Sequence, residues 1–225
     1  MGGLIPLGDA SRPERQASAI TVTIIVVNVL VFLLELQGGN HFVYAWSAVP
    51  YRIVHGHRDI TLLTSMFMHA GFLHIIGNMI YLWAFGPAIE QAMGSFRFLL
   101  FYLAGGLVAM FAQVAADPFS HIPVLGASGA IAAVMGAFIV TYPRDRIRTL
   151  LFFVIFFRVT YIPAALLIGF WFLIQVFNAG AVATVRTGEV AYLAHIAGFL
   201  FGAIMGRLFE RKPKRVAYPH YPYQS

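Results

Sequence analysis

The sequence predicts an all-α membrane protein built from six transmembrane helices, and three observations lead to this fold class. Of its 225 residues, 60% are hydrophobic and only 11% are charged, and the mean hydropathy is +0.78. A soluble domain of this length has more polar surface than this composition supplies. Six apolar stretches approach the roughly 20 residues that a helix needs to cross about 30 Å of hydrocarbon. The basic residues fall mainly on one side of these stretches.

The six predicted spans follow one another along the chain, with polar connections between them. They cover residues 20–36, 73–92, 96–116, 125–142, 161–177 and 190–209. A further apolar run, LLFFVIFF at 150–157, is too short to cross the hydrocarbon as a helix, so we expect it to lie at the membrane interface. A seven-span arrangement that uses this run stays open as an alternative.

The longest connection between spans, residues 37–72, is rich in aromatic residues and histidine. Connections of this length inside a compact domain are usually structured and functional. We therefore expect a long first outer loop that is partly embedded in the membrane.

The charge distribution predicts the orientation of the spans. With six spans both termini lie on one side, and of the fifteen basic residues only Arg52, Arg58 and Arg186 lie on the other side. Basic residues favour the cytoplasmic side, so both termini are predicted to be cytoplasmic, with the protein in the plasma membrane. The predicted domains are a cytoplasmic N-terminal tail (1–19), a membrane domain (20–209) and a basic cytoplasmic C-terminal tail (210–225).

The composition also bears on which partners and cofactors are expected. Cysteine is absent, so a disulfide framework, a thiolate nucleophile and a cysteine metal site are excluded. The basic residues flank apolar runs, which indicates a lipid bilayer as the partner and no nucleic acid. Zinc held by histidines such as His55, His57 and His69 is an alternative, but neither an H-E-x-x-H motif nor an acidic residue at ligand spacing supports it. We predict neither a metal nor a cofactor.

The predicted span at 125–142 contains one hydroxyl at its outer end, in the sequence LGASGAIAAVMGAF. Only 15 residues separate Ser128 from the break at Tyr142 and Pro143, which is about 22 Å of helix and less than the hydrocarbon thickness. The serine end is therefore expected below the outer surface, where irregular backbone is tolerated only inside protein or beside a water-filled cavity. The sequence thus predicts a hydrated pocket at Ser128.

Small residues predict that this span packs closely against the last one. The last span contains glycines at every fourth position, and His195 precedes the first of them by three residues; the small residues of the two faces are Gly198, Gly202 and Gly206, and Gly129, Ala132, Ala133 and Gly136. Such faces allow two helices to approach closely, which would bring Ser128 and His195 within hydrogen-bond reach. The alternative is a plain packing seam, with Ser128 capping its helix and His195 bonded to a carbonyl.

A second polar pair lies in the predicted span at 73–92. His74 and Asn78 are one helical turn apart and share the membrane depth of Ser128. Both side chains can donate hydrogen bonds, so beside a serine nucleophile they would stabilise the oxyanion of a tetrahedral intermediate. The alternative is a polar pair that bonds the backbone of a loop.

The three motifs together resemble the rhomboid family of intramembrane serine proteases. These motifs are His74-x-x-x-Asn78, Gly126-Ala127-Ser128-Gly129 and Ala194-His195-x-x-Gly198-x-x-x-Gly202, in family order. The resemblance implies a six-helix rhomboid bundle and a dyad of Ser128 and His195 without an acidic third member. It also implies an oxyanion site of His74, Asn78 and the Ser128 N–H, and an outward cavity partly covered by the loop 178–190.

Two positions depart from the family pattern. A Trp-Arg pair that many members carry in the first loop is replaced by Ile60 and Thr61. An aromatic residue four positions after the nucleophile, which in some members stacks on the histidine, is Ala132. These departures leave the packing of the loop and the orientation of the histidine open.

The activity implied by the resemblance is cleavage of transmembrane segments of membrane proteins near the outer face of the bilayer. Substrates with a helix-destabilised transmembrane segment are expected, because a regular helix keeps its peptide bonds internally hydrogen-bonded. One alternative is a catalytically silent rhomboid-like protein that binds client transmembrane helices. A small transporter or channel is another, although paired intramembrane carboxylates or symmetric halves would be expected for it.

Overall fold

The structure, a computed structural model, describes residues 2–11, 18–153, 155–182 and 191–211 and is mostly helical. Within these ranges, five helices are long and apolar enough to cross a membrane, and a sixth, of 14 residues, is shorter. The long helices are α1 (Ala19–Trp46), α4 (Phe72–Met93), α5 (Ser95–Ala116), α7 (Ala164–Val182) and α8 (Tyr192–Phe209), and the shorter one is α6 (Ser128–Thr141). The chain is thus a multi-pass membrane protein, and the number of six crossings stays a prediction.

The first connection contains short helices, and it begins later than predicted. Helix α1 continues past residue 36 to Trp46, with a break at Gly39, whose φ of 58° and ψ of −157° are not helical. Glycine tolerates this conformation because it has no Cβ. The connection then forms α2 (Pro50–Val54), α3 (Thr61–Thr64) and a 3₁₀ turn at Ser65–Phe67.

A three-stranded antiparallel sheet corrects the all-α prediction. Its strands are β1 (Gly2–Asp9), β2 (Arg146–Phe153) and β3 (Phe156–Pro163), in the order β1-β2-β3. Residues 2–9 of the predicted N-terminal tail form a strand, and residues 150–153 and 156–157 of the apolar run lie in the antiparallel strands β2 and β3. A hairpin satisfies the backbone of eight-residue segments that are too short to span as helices. The described residues therefore give no support to the seven-span alternative, which would need this run as a further helix.

Strand β1 is an edge strand whose sequence fits that position. Proline has no N–H to donate to a ladder and is tolerated at sheet edges and bulges. The register of β1 against β2 shifts between Pro6 and Gly8, so the irregularity lies where the proline is. Strand β3 forms the other edge of the sheet and leads directly into α7. Strand β1 packs against α4.

Hydrogen bonds to Glu90 and to Ala92 bring the start of α1 and the end of α8 to the turn between α4 and α5. The buried Glu90 carboxylate accepts hydrogen bonds from the N–H groups of Ile20 (3.0 Å) and Thr21 (2.8 Å) and from the Ser95 hydroxyl (2.8 Å). The N–H groups in the first turn of a helix lack intrahelical partners, so a carboxylate there is stabilising. At the other end of the chain, Arg211 donates from its N–H to the carbonyl of Ala92 (2.8 Å). The start of α1 and the end of α8 therefore lie on the same side of the bundle.

Candidate active site

Helices α6 and α8 run in the same direction and contact each other through their backbones. A Cβ added at Gly198 would overlap the carbonyl oxygen of Gly129, and one added at Gly202 would overlap that of Ala133. One turn further, a Cβ at Gly206 would lie 2.9 Å from the Cα of Ala137. The pairing advances by four residues on both helices at each step, which is one face of each helix.

This register places the two predicted site residues at the same end of the seam. Ser128 immediately precedes Gly129 on α6, and His195 lies three residues before Gly198 on α8. The Ser128 Oγ and the His195 Nε2 are 2.7 Å apart, which is a hydrogen-bond distance. Both side chains are half-buried, so the pair keeps some exposed surface. The pair lies near the start of α8, whereas Arg211 follows the end of the same helix. The pair and Arg211 are therefore at opposite ends of the bundle.

The loop before α6 is held by backbone hydrogen bonds to the first connection. Val124 forms a β-bridge with Ala48, and the Gly126 N–H donates to the carbonyl of Ser65 at 2.9 Å. Gly126 has a φ of +128°, which side chains rarely allow, and a Cβ there would lie 2.9 Å from the imidazole of His74. This glycine therefore lets the chain turn into Ser128 with the His74 ring directly beside it.

The imidazole of His195 has a second partner that the sequence analysis missed. Its Nδ1 lies 2.8 Å from the Oε1 of Gln175 on α7, and the Gln175 side chain is only 6% exposed. Gln175 was recognisable as the one amide in an otherwise apolar part of a predicted span, and polar groups at such positions are often functional. Its spacing from His195 gave no signal, because the contact joins two different helices.

Aromatic rings from two helices surround the same imidazole. The ring of Trp171 on α7 lies 5.9 Å from that of His195 between centroids, and Tyr192 packs edge-on at 6.5 Å. Ala132, which takes the place of the aromatic residue that some family members carry, is fully buried in α6. The aromatic packing around the histidine therefore comes from α7 and α8.

The other two predicted site residues, His74 and Asn78, each carry a side-chain N–H group. The His74 Nδ1 accepts a hydrogen bond from the Ala70 N–H at 3.3 Å, so a neutral ring carries its proton on Nε2, the atom beside Gly126. The Asn78 side chain is 8% exposed, and its Nδ2 has no hydrogen-bond partner among the described residues. Buried amide nitrogens are nearly always bonded, so an unpaired one indicates a place for an acceptor.

A buried cluster behind His74 supports the start of α4. The Glu35 carboxylate accepts the His69 N–H at 3.0 and 3.1 Å, and the His69 ring lies 5.1 Å from that of His74. Burial lowers the pKa of His69 to about 4, and the neighbouring His74 acts in the same direction. His69 is therefore neutral at pH 7 and adds no positive charge beside His74.

A cleft of about 670 Å³ lies between the sheet, α4 and α7. Its lining is mostly apolar and includes Leu4, Tyr81, Phe152, Phe156, Arg158 and Trp171. Trp171 connects the cleft to the site, because the same ring contacts the imidazole of His195.

Two further expectations concern the cover of the site and the histidines of the first connection. Most of the loop at 178–190 lies outside the described residues, which end at 182 and resume at 191. In the described ranges, no group of three or more histidine, cysteine, aspartate or glutamate side chains is arranged to hold a metal ion. The ring of His55 in the first connection packs on that of Tyr51 at 4.2 Å between centroids, and His121, between α5 and α6, packs on the same ring at 4.3 Å.

The apolar helices and the paired polar residues at their end define the class of an integral, multi-pass membrane protein with a polar site inside the bundle. The family model of the rhomboid domain matches residues 57–212, which is more than half of the chain. The chain therefore belongs to the rhomboid family. The matched range includes Ser128, His195, His74 and Asn78.

Several curated proteins are similar to this chain over part of their length. The rhomboid protease GluP of Bacillus subtilis is 35% identical over 133 residues, which is 57% of this chain and 26% of that protein. Rhomboid protein 1, mitochondrial, of Saccharomyces cerevisiae is 32% identical over 153 residues, or 65% and 41%. The rhomboid protease GlpG of Photorhabdus laumondii is 26% identical over 194 residues, or 85% and 62%. The chain thus spans less than two thirds of each of these relatives.

Proposed function

We propose that this chain is a serine endopeptidase that cleaves transmembrane segments of other membrane proteins near the outer face of the bilayer. The observation that carries this proposal is the 2.7 Å contact between the Ser128 hydroxyl and the His195 imidazole. The buried Asn78 amide, one turn from His74 on α4, lacks a partner among the described residues and would add a donor for a developing negative charge. Relatives whose names describe rhomboid proteases support the same activity.

In this mechanism His195 is the general base and Ser128 the nucleophile. The Nε2 of His195 accepts the hydroxyl proton while Oγ attacks the carbonyl carbon of the scissile peptide bond. The tetrahedral intermediate then collapses to an ester on Ser128, and the imidazolium gives its proton to the leaving amine. Water, deprotonated by the same imidazole, attacks the ester and releases the new carboxyl terminus.

Three donors would stabilise the oxyanion of the intermediate. They are the Nε2–H of His74, the Nδ2–H of Asn78 and the backbone N–H of Ser128. Ser128 is the first residue of α6, so its N–H has no intrahelical partner and lies at the positive end of the helix dipole. Each donor of this kind contributes about 10²- to 10³-fold to the rate in comparable sites.

The substrate must present an extended peptide to this site. A transmembrane helix keeps its backbone bonded internally, so glycine or proline near the outer end of the substrate segment should favour cleavage. The apolar cleft beside Trp171 supports an approach of that segment between α4 and α7. Six crossings, with both termini in the cytoplasm of a plasma-membrane protein, would place Ser128 in the outer half of the bilayer.

Cleavage of a single-span model substrate by the purified protein in liposomes tests the proposal. We expect Ser128→Ala and His195→Ala to reduce cleavage to background, and Asn78→Ala to reduce it by about 10²-fold. Ser65→Ala is the matched control, since the Ser65 hydroxyl donates to the Leu62 carbonyl at 3.3 Å and, within the described residues, bonds none of the proposed site residues. A fluorophosphonate probe should label the wild type and Ser65→Ala but not Ser128→Ala.

Two outcomes would contradict the proposal. Cleavage that persists in Ser128→Ala would remove the nucleophile. Stable capture of the intact model substrate by the wild type, without cleavage or probe labelling, would instead support a silent protein that binds client helices.

A further inference from the structure

We propose that Gln175 is a positioning residue for His195, holding its imidazole in the one neutral tautomer that can accept the Ser128 proton. The consequence for catalysis rests on the proposed function, but the hydrogen bond itself does not. The inference concerns a third group on α7, in addition to the serine and the histidine.

The amide of Gln175 is fixed at both ends. Its Nε2 donates to the carbonyl of Trp171, one turn earlier on the same helix, at 3.3 Å. This bond turns Oε1 towards the Nδ1 of His195, at 2.8 Å. The side chain is 6% exposed, so water offers it little competing hydrogen bonding.

The chemistry of the amide oxygen determines where the imidazole proton lies. An amide oxygen only accepts hydrogen bonds, and a neutral imidazole has one N–H and one lone pair. The Nδ1 of His195 must therefore be the donor, which leaves the Nε2 lone pair for the Ser128 hydroxyl at 2.7 Å. The opposite tautomer would set two lone pairs against each other at Gln175.

A neutral partner also suits an imidazole in an apolar bundle. Serine hydrolases with a triad use a buried carboxylate to orient the imidazole, and the wrong tautomer is costly to their rate. Here Gln175 supplies the acceptor without a charge. The preceding residues of the same helix, 164–174, are all apolar. Charged groups inside a span are expensive, so an amide provides the orientation at a lower cost.

The test compares substitutions at Gln175 with a matched substitution at Gln113. Gln175→Leu keeps the approximate volume and removes the acceptor, whereas Gln175→Glu keeps an acceptor. Gln113→Leu is the control, because Gln113 on α5 is also a glutamine in a span but accepts the Ala194 N–H, at 3.4 Å, and not the imidazole. Cleavage of the single-span substrate in liposomes gives kcat and KM, and ring nitrogen NMR shifts of labelled His195 report its tautomer.

We expect Gln175→Leu to lower kcat by about 10- to 100-fold, which is less than the about 10²- to 10⁴-fold of a lost general base because His195 itself remains, with KM changed less than about twofold. The NMR shifts should move from the Nδ1–H tautomer to a mixture. Gln175→Glu should recover at least part of kcat, and Gln113→Leu should resemble the wild type in both readouts.

Three results separate the possibilities. An unchanged tautomer and kcat in folded Gln175→Leu would overturn the inference, as would equal losses for Gln175→Leu and Gln175→Glu that follow thermal stability alone. If Gln175→Leu does not fold, the tautomer of the wild type decides, since an Nε2–H tautomer contradicts the proposed bond. A tautomer that depends on Gln175 in a protein without cleavage or probe labelling would uphold the bond and reject the protease proposal.

Discussion

Helices α8 and α7 both hold His195, but they do so in different ways. Helix α8 carries His195 and contacts α6 backbone to backbone, at glycines where any side chain would overlap the backbone of α6. Helix α7 contacts the imidazole through Gln175 and Trp171, stacks Phe172 on Phe199 of α8, and exposes large side chains such as Leu173 and Phe177 on its surface. The position of the histidine is therefore set by a tight seam and its ring orientation by a looser helix.

This difference predicts two kinds of mutational effect. A change in the seam moves the His195 backbone relative to Ser128, and misplacement by about 1 Å can cost 10²-fold in rate. A change on α7 leaves both backbones in place and alters only how the ring is held. Seam substitutions should abolish cleavage, and α7 substitutions should reduce it.

The largest effect is expected for Gly198→Ala. The added methyl group would overlap the carbonyl oxygen of Gly129, the residue after the proposed nucleophile, and neither backbone can yield without separating the helices. We expect cleavage in liposomes to fall at least about 100-fold, with a lower midpoint of thermal unfolding in detergent.

Gly169→Ala on α7 is the matched control for this substitution, because a Cβ at Gly169 meets no atom of the described residues within 4 Å. It should retain the activity and stability of the wild type or gain slightly from the better helix propensity of alanine. Equal losses in Gly198→Ala and Gly169→Ala would show that the seam has no special role.

An intermediate effect is expected for Trp171→Leu. This change removes the ring beside the imidazole but keeps the Trp171 carbonyl that bonds Gln175. The ring of His195 should then sample more orientations, and we expect kcat/KM to fall by about tenfold, in line with the modest free energy of an aromatic contact. Steady-state cleavage of the model substrate measures this.

Phe172→Leu separates contact with His195 from general packing of α7. Phe172 stacks on Phe199 of α8, at 4.3 Å between ring centroids. It should lower thermal stability while changing kcat/KM less than Trp171→Leu does. The reverse order would mean that α7 acts only through packing.

The same contrast explains what the sequence could predict. The seam and the motifs depend on residues three or four positions apart on one helix, and this spacing is visible without knowing how the helices pack. The contact between Gln175 and His195 depends on the relative rotation of α7 and α8, which no local spacing encodes. The predicted set of small residues on α6 was also incomplete, because it lacked Ala137, which contacts Gly206.

The sheet was missed for a related reason. Strands β1 and β2 pair residues that are far apart in the chain, such as Leu4 with Leu151, so neither strand contains the signal alone. One local signal was present, the alternation of exposed Arg146 and Arg148 with buried Ile147 and Thr149. A period of two residues is typical of a strand with one buried face.

The smallest effect on activity is expected from a crosslink that fixes the sheet. Leu4 and Leu151 are directly paired across β1 and β2, and paired residues of antiparallel strands have Cα atoms about 4.5 to 5.5 Å apart, within the range of a disulfide. Because the chain has no cysteine, the Leu4→Cys, Leu151→Cys double variant adds only this pair. We expect rapid oxidation to one crosslinked species, detected by mass spectrometry. Fluorophosphonate labelling of Ser128 should stay within about twofold of the reduced form, since the seam is untouched.

In the control pair, Leu4→Cys and Leu150→Cys, the side chains lie on opposite faces and should crosslink slowly. Equal crosslinking of both pairs would contradict the register of β1, and a large loss of labelling on oxidation of the first pair would show that the sheet, and not only the seam, sets the geometry at Ser128.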